Sequence, residues 1–173
     1  VTSPSQALRV DTRPAFVPDV EFREALLTFD GRAINRAPEF GDDWLAGVVA
    51  GAFEGVASGG LITVELRAPS GATLVQRRVR VRASDTVVTV ILSRDCANVM
   101  CPGMSDASAT ECLDGRCVEP DCSPENPEAC PEPECARASD CPTLACGTAV
   151  CSFGVCLFGG DRACAEDEVC IPE

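Results

Sequence analysis

Cysteine is the residue type in this chain with the most chemistry to offer. All thirteen cysteines, Cys96, Cys101, Cys112, Cys117, Cys122, Cys130, Cys135, Cys141, Cys146, Cys151, Cys156, Cys164 and Cys170, fall in the second half. In such numbers they serve as thiolate ligands to zinc or iron–sulfur clusters, as redox-active pairs, or as structural disulfides. Spacing separates these cases. A zinc knuckle or a redox pair typically uses Cys-x-x-Cys, and here no two cysteines are closer than four intervening residues. There is no His to complete a mixed site, and the neighbours are Glu, Asp and Pro, with few cations to stabilise a thiolate. Structural disulfides in an oxidising, extracytoplasmic compartment are the expectation, and a cytosolic metal-binding protein is the alternative. The count is odd, so one cysteine has no partner within the chain, pairs between molecules, or pairs beyond Glu173.

Oxygen chemistry comes next. The acids Asp161, Glu166, Asp167 and Glu168 offer the hard ligands that calcium takes, but they follow no EF-hand loop or glycine–aspartate repeat. A solvated acidic surface is the expectation, with no metal. Asp42-Asp43 and Glu166-Asp167 are the remaining pairs for carboxylate catalysis, and nothing around them resembles a glycosidase signature. The absence of His, Lys and Tyr removes Ser-His and Cys-His pairs, Schiff-base lysines and His-bound metals together. No catalytic residue and no cofactor are expected.

These residues belong to two unlike halves. Residues 1–95 hold eleven Arg against twelve acids, and residues 96–173 hold three against fifteen, so most of the net charge of −13 sits in the cysteine-rich half. That acidity argues against nucleic acid as a partner. The first half is rich in Val, Leu, Ile and Phe and is about large enough to hold its own core. The second has few large apolar side chains, chiefly Met100, Met104, Leu113, Leu144, Phe153, Phe158 and Val169, and needs covalent staples. Within it a four-cysteine pattern occurs twice, over 96–118 and 141–157, aligning Cys96, Cys101, Cys112 and Cys117 with Cys141, Cys146, Cys151 and Cys156. Bridges are expected mostly within each copy, with the pairing open. Residues 119–135, dense in Pro and Glu, read as an extended, stapled spacer unable to pack a core. Each Cys-x-x-Gly-x-Cys segment reads as a tight hairpin with Gly at positive φ.

In the first half the hydrophobic period is two. Strands are expected over Leu8 to Arg13, then Val20 to Phe22 continuing through a bulge near Arg23-Glu24 into Ala25, Leu27 and Phe29. Others are expected at Arg32 to Ile34, Trp44 to Phe53, around Ile62, Val64 and Leu66, over Leu74 to Arg82 and over Thr86 to Ser93. The last is apolar on both faces, as a central strand would be. About seven strands, with turns at Asp30-Gly31, Gly59-Gly60 and Ala68 to Gly71, predict an all-β domain over 1–95. It would be an antiparallel sandwich of immunoglobulin or fibronectin type with Greek-key connections. Trp44 reads as a core or rim aromatic. Alternation puts Arg78, Arg80 and Arg82 on one face. That stripe would bind a polyanion, pair with acids such as Glu65, or dock the acidic half of the same chain. Arg77 would point inward with Val75 and Val79, which predicts a bulge or a strand end there.

The stretch Phe16 to Phe22, the strand Val87 to Ser93, and Asp95 to Pro102 with Cys112 to Val118 resemble cysteine-rich secreted proteins and lipoproteins of myxobacteria. That resemblance implies export and a lipid on an N-terminal cysteine outside this chain. The polar start Val1 to Ser5 fits a chain whose export signal has been removed. The cysteine repeats are also similar to epidermal-growth-factor-like and Dickkopf-like modules, without the Cys-x-Cys of the former. The expected function is a non-enzymatic exported binding or structural module of a surface adhesion, receptor or scaffold assembly, the acidic half serving as a stalk. Other surface proteins or polysaccharide would be its partners. The alternative is an accessory carbohydrate-binding module that positions an extracellular enzyme.

Overall fold

A computed structural model describes residues 7–104, 106–143 and 147–159. The protein is strand-rich, and its helical content among the described residues is three single 3-10 turns. The first half contains β1 (Leu8–Pro14), β2 (Glu24–Phe29), β3 (Arg32–Arg36), β4 (Val48–Phe53), β5 (Leu61–Arg67), β6 (Thr73–Arg80) and β7 (Val87–Leu92). They form a three-stranded sheet of order β4-β1-β7 and a four-stranded sheet of order β3-β2-β5-β6.

Period-two alternation builds the core between these sheets. Ala25, Leu27 and Phe29 of β2, Ile62, Val64 and Leu66 of β5, and Val75 and Val79 of β6 meet Leu8 and Val10 of β1 and Val88, Val90 and Leu92 of β7 in one buried cluster. Trp44 joins it edge-on to Phe22, with ring centroids 5.1 Å apart. The β2–β3 connection turns at Asp30 and Gly31, both left-handed with φ 48° and 73°, which is the turn geometry that matches strand twist.

Four expectations about this half need correction. Val20 to Phe22 is not a strand. The chain makes a loop there, with Asp19 left-handed and Val17 N–H donating to Glu21 Oε2, and β2 starts at Glu24 without the expected bulge. Residues from Trp44 form a turn, and β4 begins only at Val48, because Gly47 adopts φ 117° beside the Asp11 carboxylate, where a Cβ would collide. The sheets are not wholly antiparallel, since β1 runs parallel to β7. Finally, β7 is an edge strand. Its second apolar face is covered from outside the sheet, by the cysteine-rich half.

That half contains two hairpins, β8 (Glu111–Leu113) with β9 (Arg116–Val118), and β10 (Thr148–Ser152) with β11 (Val155–Gly159). Each turns at consecutive left-handed residues, Asp114 and Gly115 in the first, Phe153 and Gly154 in the second. Among the described residues five disulfides hold the region: Cys96–Cys112, Cys101–Cys117, Cys122–Cys130, Cys135–Cys151 and Cys141–Cys156. Bonds of this number form and persist in an oxidising environment.

The bridges change the alignment of the two copies. Cys96–Cys112 and Cys101–Cys117 join first to third and second to fourth. The same order recurs in Cys135–Cys151 and Cys141–Cys156. Cys135 and Cys141 therefore take the roles of Cys96 and Cys101, at offsets of 39 and 40 residues, and Cys135 belongs to the second unit instead of the spacer.

The cysteine-rich half does not project as a stalk over its described residues. Ile91 of β7 and Ala15 form a second core with Leu113, Val118, Cys122, Val155 and Leu157, and Leu45 packs against it. The Pro/Glu-rich segment takes part in the packing, since Pro120, Cys122 and Ser123 are buried. Met100 and Met104 stay exposed, and Leu144 and Val169 lie outside the described residues.

Cys146, Cys164 and Cys170 also lie outside the described residues. Proteolytic mapping of unreduced protein is expected to recover the Cys135–Cys151 and Cys141–Cys156 links. A Cys141–Cys151 link would instead restore the alignment of Cys141 with Cys96.

Candidate functional site

The face between the halves is built on β6 and β7. Each is the edge of its sheet, and an exposed edge strand carries unpaired backbone groups. Acidic side chains and backbone of the cysteine-rich half satisfy them. On β6, Arg78 N–H donates to Glu111 Oε2 at 2.7 Å and Arg80 N–H to the Pro120 carbonyl at 2.9 Å. On β7, Thr89 donates from N–H to Glu125 Oε2 and from Oγ1 to Glu125 Oε1, at 3.1 and 2.6 Å.

The arginine stripe is committed to the same face. Arg78 pairs with the buried Glu111 at 2.6 Å, and Arg80 with Asp121 at 3.1 Å. Arg82 pairs with Asp85 at 3.0 Å and donates to the Glu125 carbonyl. Glu65 pairs with Arg67 instead. Of the paired acids considered for catalysis, Asp42 accepts a two-oxygen contact from Arg36 and a bond from Glu39 N–H. Asp43 caps the turn by accepting from Ala46 N–H. Asp161, Glu166, Asp167 and Glu168 lie outside the described residues.

Arg77 is the residue whose position in the sequence pattern was hardest to place. No bulge or strand end relieves it. It pairs in register with Val64 and points inward between Val75 and Val79, 1% exposed. Its guanidinium lies in the seam between the two sheet edges, where Nη1 donates to the Ile91 carbonyl at 3.1 Å and Nη2 to the Cys122 carbonyl at 2.8 Å. Nε has no hydrogen-bond partner, and Arg77 forms no ion pair among the described residues. Burial lowers its pKa to about 10, against the pull of Glu111, so the group still carries its proton at neutral pH.

Above Arg77 opens a cleft of about 250 Å³. Ile91, Leu113, Pro131, Pro133 and the Phe153-Gly154 turn line it, together with Arg77 itself. The two units close on each other here. A Cβ on Gly154 would meet Pro133 Cβ at 2.5 Å, and Glu134 N–H donates to the Gly154 carbonyl. Arg13 stacks 4.8 Å over the Phe153 ring and donates to Ser152 Oγ, tying the same hairpin to β1.

Asp114 lies beside Glu134, which pairs at 3.0 Å with Arg116, a lining residue of the cleft. Burial first, then the hydrogen bond and the charge of Glu134, push the Asp114 carboxyl up to about 7, against the opposing effect of Arg116. The sulfurs of Cys135, Cys141 and Cys156 lie within 4.8 Å of one another because their two bridges pack side by side. Thiolate ligation there would require both bridges to be reduced.

Glu111, Glu125, Asp114 and the cleft were not singled out in the sequence. A usable signal existed for Glu111, a lone acid flanking Cys112. Comparison with protein-family models, curated proteins and solved structures gives no match.

The raised Asp114 pKa fixes the sign of a pH effect. Below the unfolded value, near 4, both states hold the proton. As pH rises toward 7, the unfolded chain ionises first, so the contribution to stability is lost and then levels off. Unfolding midpoints measured from pH 4 to 8 are expected to fall over this window, with a smaller fall in Asp114→Asn. An unchanged profile in that variant would assign the effect elsewhere.

Proposed function

We propose that this chain is a non-enzymatic, exported binding or structural module, part of a surface adhesion, receptor or scaffold assembly. Its first half is read as an immunoglobulin-like sandwich, and the cysteine-rich half as a clamp that completes it and supplies a recognition cleft. One observation carries the reading: among the described residues, the polar groups singled out for chemistry are engaged in construction. Ten cysteines are bonded to each other, Arg78 and Arg80 pair with acids of the cysteine-rich half, Arg82 pairs with Asp85 and donates to the Glu125 carbonyl, and Asp42 and Asp43 brace a turn. The Arg77 cleft is one of the concave features between the halves, and it is apolar with one buried charge, as binding sites commonly are. With the arginine stripe engaged internally, polysaccharide binding through it loses its basis.

The test uses protein purified from its native compartment. Intact mass after alkylation with and without reduction, a metal assay and in-situ cross-linking to outer-surface material are read together. The proposal expects at most one alkylated thiol per unreduced chain, no stoichiometric metal, and cross-links to surface proteins. Widespread free thiols with bound zinc or iron would overturn it in favour of a cytosolic metal protein. Cross-links confined to polysaccharide would overturn it in favour of an enzyme-positioning module.

A further inference from the structure

We infer that the cleft over Arg77 binds a small amphiphilic monocarboxylate, an apolar body of about ten heavy atoms that places its carboxylate toward the buried guanidinium. The inference rests on the binding-module reading and names the ligand class of that module's cleft. Three observations carry it.

Charge is the first. Arg77 is 1% exposed, has no ion pair among the described residues, and leaves Nε without an acceptor. Two backbone carbonyls bind its Nη atoms, but carbonyl dipoles do not neutralise a full positive charge. A buried cation without a counter-ion is costly, and an anion held in the cleft above it recovers part of that cost by charge–charge attraction through a poorly solvated site, without displacing the carbonyls on its Nη atoms. Glu111, the acid whose charge acts on Arg77, is already saturated by Arg78 and by Thr110 Oγ1.

The lining is the second. Leu113, Ile91, Pro131, Pro133 and Phe153 present apolar walls, which suit an aliphatic or aromatic body and not a phosphate or a sulfated sugar. The titratable groups of the cleft are Arg77, Arg116 and Glu132. Glu132 is exposed, so its repulsion acts through water, whereas Arg77 acts from the dry floor.

Size is the third. A volume of about 250 Å³ holds one large side chain with its carboxylate and little more. Prolines on one wall and a glycine fitted against Pro133 make that wall stiff, so little ordering cost is added on binding.

The probe is 4-phenylbutyrate, titrated into the oxidised full chain and followed by two-dimensional NMR, with 4-phenylbutyramide as the uncharged control. Saturable shifts centred on Leu113 and Gly154 are expected, with the amide at least tenfold weaker. Phe153→Asn, which keeps a residue suited to the left-handed turn and removes a wall, is expected to weaken the carboxylate about tenfold with the spectrum otherwise native. Arg77→Gln, if folded, is expected to abolish the preference for carboxylate over amide. Equal affinity for acid and amide, or shifts away from the cleft, would overturn the inference while leaving the surface-module reading intact. Loss of that reading with carboxylate binding retained would show a cleft serving some other role.

Discussion

The arrangement depends on a charge held where the two sheets fail to close. Arg77 sits on the inward face of β6, a place that ordinarily takes Val or Leu, and its guanidinium reaches across the seam to β7 and to the cysteine-rich half at once. The Ile91 carbonyl belongs to one edge strand and the Cys122 carbonyl to the segment laid over it. Without that segment, Arg77 and the outer face of Ile91 would both meet water at the open side of the sheets. The group is partnered by both halves, and two of the buried clusters hold residues from both sides of the boundary near residue 95.

Each half lacks something the other supplies. The sheets end in β6 and β7 with free backbone donors, and Glu111, Pro120 and Glu125 accept from them. The cysteine-rich half has too few apolar side chains for a core of its own, and it gathers Leu113, Val118, Val155 and Leu157 around Ile91, Ala15 and Leu45. Disulfides make this possible by restricting the unfolded chain, so a small shared cluster suffices. Two of the carboxylates of this half, Glu111 and Asp121, are the counter-ions of Arg78 and Arg80 on β6.

Much of the first half was legible because period-two alternation reports burial directly. Ile62, Val64 and Leu66 gave β5, and Asp30-Gly31 gave the β2–β3 turn. Strand direction and sheet order were not legible, because alternation says which face is buried and not what lies over it. Hence β7, apolar on both faces, read as central when its outer face is covered from outside the sheet. The cysteine spacing gave the hairpins and the disulfides, but Asp95-Cys96 and Asp140-Cys141 are such similar dipeptides that they drew the alignment one cysteine too far. Only bond connectivity shows that Cys135 opens the second unit. Arg77 was visible as an exception to its strand, and its partners were invisible because both are backbone carbonyls, which carry no side-chain signature.

The claim that the two halves are joined by a shared cluster and fold as one unit is tested most directly by scanning calorimetry of the oxidised full chain beside its Ile91→Ala variant. Ile91 is 2% exposed and belongs to the shared cluster. Removing its side chain is expected to cost about 2–5 kcal/mol. A single transition in both proteins, with calorimetric and van't Hoff enthalpies equal and the whole transition lowered in the variant, is what a shared core predicts. Two transitions, of which only one moves, would show that the halves fold separately and that the seam is a contact between finished domains.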